Sequence, residues 1–147
     1  MSAQQPTADT TDMTWLLNKL VHEQPGVVHA LLFTTDGLVL AHSGALTRDN
    51  ADRAAAALSG IKSLHSELAA FCGIPMNHGT PAPLRYVISD MKDVTMLLFA
   101  AGPRTGIGVA VRGESMSHQV SAAITATLKT ITGLRPVLDA RERNDPT

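Results

Sequence analysis

Apolar positions step along the chain with two different periods, and the switches between them mark out its elements. Residues 1 to 11 are polar and without period, which predicts a disordered arm. From Asp12 to Glu23 the apolar residues Met13, Leu16, Leu17, Leu20 and Val21 share one helical face, with Thr11 or Asp12 as cap and Gln24-Pro25-Gly26 as stop. Val27 to Thr34 then alternates, with Val28, Ala30 and Leu32 on one side and Val27, Leu31 and Phe33 on the other. A strand apolar on both sides must be covered on both. Asp36-Gly37 signals a hairpin whose central positions favour positive φ, and Leu38 to His42 returns as the second strand.

A long helical stretch, Leu46 to Gly73, separates this hairpin from the later strands. Ala54, Leu58, Ile61, His65, Leu68 and Cys72 form one row, and Ala57, Gly60, Leu64 and Phe71 form a second beside it. The combined stripe predicts one side lying on a sheet. Thr47 or Asp49 is placed to cap the start, and Gly73 followed by Pro75 to stop it. Its middle, Ala54 to Ala57 with Ser59 and Gly60, carries only small side chains. Such a patch admits either a close helix in a second copy or tight packing on the chain's own sheet, and both readings stay open at this level.

A Gly- and Pro-rich loop spans 74–83. Three strands follow, Leu84 to Ser89, Val94 to Ala101 and Gly106 to Arg112, with links short enough for an antiparallel meander. From Glu114 to about Thr132, Met116, Val120, Ala123, Ile124, Leu128 and Ile131 make a final helical face, which Gly133 and Pro136 should end. The expected fold is a three-layer α-β-α sandwich with a five-stranded antiparallel sheet, in the order α-β-β-α-β-β-β-α. The expected organisation is an arm at 1–11, one domain at 12–135 and a flexible tail at 136–147.

Composition narrows the function. The chain is 44% hydrophobic but only 17% charged and 3% aromatic, which suggests that some apolar surface closes against a partner. A net charge of −1, without a basic stripe, argues against nucleic acid. The lone Cys72 excludes an internal disulfide, and its apolar row predicts a core thiol. The N-terminus lacks the features of a signal peptide and no window is apolar enough to span a membrane, so the expected location is the cytoplasm.

Candidate chemistry is sparse. Gly102 to Gly108 has the glycines of a phosphate loop but not its Lys-Ser/Thr ending, and reads as a hairpin turn. Of six histidines only His29 and His42 are placed to face each other across a hairpin, with no third ligand. Ser43, Ser89 and Ser115 lack the setting of a nucleophile, and Asp49, Asp52 and Glu67 lie along a helix as solvated charge. No catalytic residue, cofactor or metal site is expected.

The stretch TWLLNKLVHEQPGVVHALLFTTDGLVLAHSG resembles the opening of Roadblock, or dynein light chain, domains. The small-residue second helix and the G-x-G-V-A-V strand before the last helix are also similar, and the likeness extends over 12–135. It is greatest to the bacterial branch encoded beside small Ras-like GTPases, which in actinobacteria sits in operons with a sensor histidine kinase. The resemblance implies a non-catalytic homodimer that binds and regulates, or localises, such a GTPase; a scaffold whose partner is the sensor histidine kinase instead is an alternative. It implies two sheets joined through the third strand, at Arg85, Tyr86, Val87 and Ile88, and paired second helices meeting at Ala56, Ala57, Gly60 and Leu64. The helix pair would then be the GTPase platform, with Asp49, Asp52, Arg53, Ser59, Lys62 and Ser66 as exposed contacts. A small-ligand sensor, with its pocket lined by the 73–83 loop, is the other alternative.

Overall fold

In the computed structural model, which describes residues 8–75 and 84–143, the elements run α1 (Ala8–Glu23), β1 (Val27–Thr34), β2 (Val39–His42), α2 (Arg48–Ser66), β3 (Tyr86–Asp90), β4 (Val94–Gly102), β5 (Thr105–Arg112) and α3 (His118–Arg143). The five strands form one antiparallel sheet in the order β2-β1-β5-β4-β3. This is the expected sandwich, because apolar side chains leave the central strands on both faces. Ala30, Leu32, Leu97, Phe99, Ile107 and Val109 point into a core closed by α1 and α3. Leu31, Phe33 and Leu98 point the other way, under Ala51, Ala55 and Leu58 of α2.

The two glycines of the fifth strand explain how closely α2 sits. Gly106 and Gly108 lie between residues that face the α1/α3 core, so they face α2. A Cβ on Gly108 would overlap Leu58, and one on Gly106 would stand 2.5 Å from Phe33 Cζ. Their missing side chains make room for Leu58 and Phe33 to meet the sheet.

Several details depart from the pattern read along the chain. Val27 joins the α1/α3 core with Ala30 and Leu32, because a register shift between Val27 and His29 moves it to their side. The hairpin loop holds four residues, Thr35 to Leu38; the Gly37 N–H reaches the Thr34 carbonyl at 2.9 Å, and of Asp36 and Gly37 only Gly37 has positive φ. His42 pairs with Leu31 and His29 with Ala110, so these histidines are not opposite one another.

α2 begins as expected, with Thr47 accepting the Asn50 N–H at 3.2 Å. It does not run unbroken to Gly73. At Ser66 the bonds tighten to three-residue spacing, one further turn follows, and Gly73 closes it. There the Ile74 N–H bonds Ala69 and the Gly73 N–H bonds Ala70, at 2.9 and 3.1 Å, a Schellman arrangement with Gly73 at φ 73.

The last helix differs most. It starts at His118, where the Ser117 hydroxyl accepts the Val120 N–H at 3.3 Å, and it passes through Gly133 and Pro136 to Arg143. Met116 precedes it and is exposed, as is Leu128, while Thr127, Leu134 and Leu138 are buried. Helical apolar spacing thus continues beyond Pro136, which is itself exposed on α3. At the other end α1 starts at Ala8, earlier than the expected cap. The rest of the expected arm, most of the 74–83 loop and the last four residues of the expected tail lie outside the described residues.

Candidate functional site

Among the described residues no three His, Cys, Asp or Glu side chains gather in a way that would hold a metal ion. What stands out on the surface is apolar area where the fold leaves elements uncovered, on α2 and along β3.

The position of α2 over the sheet divides its residues. Ala51, Ala55 and Leu58 are buried, with Ala54 and Ile61 packed against them. The second row of its stripe faces outward. Ala56, Ala57, Gly60 and Leu64 are exposed, Leu64 to 66%, and nothing lies within 4 Å of a Cβ built on Gly60. The apolar exposure continues past the helix through Leu68, Phe71 and Ile74, Phe71 being 89% exposed. Cys72, expected in the core, is exposed here too, in the turn that follows the end of α2 at Ser66.

β3 is the second feature. It lies at the end of the sheet, bonded on one side to β4. Arg85, Tyr86 and Ile88 are exposed and Val87 is half-buried against the α2-side core. Tyr86 stacks on Phe99 with ring centroids 5.4 Å apart, yet remains 51% exposed. The far end of the strand is anchored. The Asp90 carboxylate accepts the Ser115 N–H at 3.1 Å, the Lys92 N–H at 2.7 Å and the Ser115 hydroxyl at 2.8 Å. These bonds, the Ser115 N–H foremost, hold the Asp90 carboxyl below the usual range. They tie the β3–β4 turn, with Lys92 in the left-handed region, to the approach to α3.

The polar residues expected as contacts are less uniform. Asp49, Asp52 and Arg53 are exposed, and Asp52 accepts the Arg48 Nε–H at 3.1 Å. Ser59, Lys62 and Ser66 are only half-buried or half-exposed, not fully open. The Ser59 hydroxyl donates to the Thr35 carbonyl at 2.6 Å and so fastens α2 to the β1–β2 turn. Burial alone lowers the Lys62 pKa. Reasoning from the chain missed the exposed Phe71, Cys72 and Ile74 cluster; the small patch directly before it was the available signal, since exposure there continues the same helical row.

The fold and this surface together define a small α-β-α sandwich with an open strand edge and a bare apolar helix face. Residues 13–110 match the family model of the Roadblock/LC7 domain, and the chain belongs to that family. A Roadblock/LC7 domain from Streptomyces avermitilis is similar at 25% identity, covering 85% of this chain and 96% of that one, with TM-score 0.70. The gliding protein MglB from Thermus thermophilus shares the fold at 16% identity and TM-score 0.75, covering 95% of this chain and 99% of that one. A structure described as MglB with tetrameric arrangement does so at 16% identity and TM-score 0.72, with coverages of 95% and 98%. Comparison with curated proteins finds no match. No helix among the described residues is long and apolar enough to cross a membrane.

Proposed function

We propose that this chain is a non-catalytic homodimeric adaptor, working in the cytoplasm, that docks and regulates a small Ras-like GTPase. The observation that carries the reading is the outward row Ala56, Ala57, Gly60 and Leu64 on α2. Gly60 has open space beside it in the single chain, and Gly in a helix interior costs roughly 1 kcal/mol against Ala. A second helix meeting that row gives the cost a purpose. The open β3 edge with Tyr86 and Ile88 supports the same pairing, because an uncovered apolar edge invites another strand. Membership of the Roadblock/LC7 family, and the resemblance to its GTPase-associated branch, supply the partner. Asp49, Asp52 and Arg53 would flank the centre of the platform, and a sensor histidine kinase would be a further partner.

The dimer is tested first. Light scattering at micromolar concentration is expected to give twice the chain mass. Gly60→Leu should shift the equilibrium toward monomer, since overpacking costs about 1–3 kcal/mol and both copies would carry it. Open space at Gly60 in the single chain means that circular dichroism should stay unchanged. A dimer constant equal to that of the parent chain would place the interface elsewhere.

The partner is tested by calorimetry with a small Ras-like GTPase, loaded in turn with GDP and a GTP analogue. Switch loops differ between these states, so a regulator must discriminate them, and tenfold corresponds to about 1.4 kcal/mol. The expected preference is for the GTP form, weakened by Arg53→Ala without loss of dimer. Equal affinity would reduce the chain to a tether, and absence of binding would remove the GTPase from the reading.

A further inference from the structure

The face opposite α2 carries a recess of its own. α1 and α3 close on each other near Leu16, where a Cβ built on Gly133 would stand 3.6 Å from Leu16 Cδ2. Toward the other end the side chains of α3 are small, with Ala122 and Ala126 one turn apart, and a groove of about 540 Å³ opens between the helices. Leu16 and Leu20 supply the remaining apolar lining. The groove does not stop at α1. A hollow of about 310 Å³ shares Lys19 and Glu23 with it and adds Trp15 and Asn18, and another of about 360 Å³ shares those two and reaches Thr11. Shared lining joins these into one track along α1. From Thr11 to Glu23 the helix rises roughly 18 Å at 1.5 Å per residue.

We propose that this track is the docking site of an acidic polypeptide segment of a partner protein, with apolar side chains set between its carboxylates. Lining spread over roughly 18 Å of α1 suits an extended or helical segment better than a compact metabolite. The apolar floor takes aliphatic or aromatic side chains. The sign of the partner's charge follows from the rim, where Lys19 and Lys129 face a single acid, Glu23, on a chain whose net charge is −1. Trp15 adds both kinds of contact at once. Its ring is 60% exposed and the Lys19 ammonium lies 5.3 Å from its centroid, so an apolar surface and a cation are offered side by side. None of these residues belongs to α2 or β3, and the site stands whether or not the GTPase reading holds.

Trp15 is the only tryptophan of the chain and reports on the track directly. The test is selection of random twelve-residue peptides displayed on phage against the full chain, followed by titration of the synthesised winners by Trp15 emission. The expected winners carry at least two Asp or Glu around Leu, Phe or Met. Their affinity should fall tenfold or more in Lys19→Glu with Lys129→Glu, and less in the milder pair Lys19→Gln with Lys129→Gln. Both lysines are exposed, so circular dichroism should be unchanged in either pair. Arg53→Glu on α2 should leave binding as it is, and rising salt should weaken it. Winners without acidic residues, no winners, a silent Trp15, or affinity indifferent to the lysine pairs would each overturn the proposal.

Discussion

Leu138→Ala is expected to destabilise the chain by about 2–5 kcal/mol, the usual range for emptying a leucine site in a core. Leu138 is 2% exposed and belongs to the cluster that α1 and α3 form on the sheet. It lies beyond Pro136, in a stretch whose polar flanks read as a fraying tail. The expectation therefore tests whether α3 is a full-length structural helix. Leu128→Ala serves as the comparison, because Leu128 is half exposed and should cost under about 1 kcal/mol. Urea unfolding followed by circular dichroism measures both. A Leu138→Ala midpoint no lower than that of Leu128→Ala would mean that the helix end contributes nothing to the fold.

Gly106→Val should cost about 1–3 kcal/mol and reach the upper end of that range. The new Cβ would stand 2.5 Å from Phe33 Cζ and 3.0 and 3.1 Å from Cε1 and Cε2. Phe33 is fully buried, so its ring has nowhere to go without lifting α2 from the sheet. Valine favours strands, which offsets a little of the clash. Gly133→Ala is the opposite case. Its Cβ would meet Leu16 at 3.6 Å, an ordinary contact, in the interior of α3. There the same kind of change should stabilise by roughly 0.5–1 kcal/mol through helix propensity. Unfolding midpoints that move in the same direction for both variants would contradict this account of how the glycines are used.

Much of this architecture was legible along the chain because period and burial agreed. Leu31 and Phe33 alternate with Ala30 and Leu32, and a strand with two apolar sides has room for only one arrangement, helices above and below. Thr47 and Gly73 act locally, through backbone groups a few residues away, so their capping roles were also readable. The outward row on α2 was visible as a run of small residues, but its direction was not. A period of 3.6 tells which residues share a side, not how wide a strip the sheet covers.

What the sequence by itself determined was the order of elements and the two-sided sheet. Tertiary structure decided the rest, wherever a local signal competed with burial. Gly133 and Pro136 are helix breakers, yet Leu134 and Leu138 gain more from the core than the breakers cost. Cys72 sits in an apolar row, yet α2 ends at Ser66 before the row reaches it, and Cys72 is exposed. The recess between α1 and α3 depends on how far apart the two helices lie around Ala122 and Ala126. That spacing is set by the crossing of two helices distant in sequence, and no window along the chain contains both.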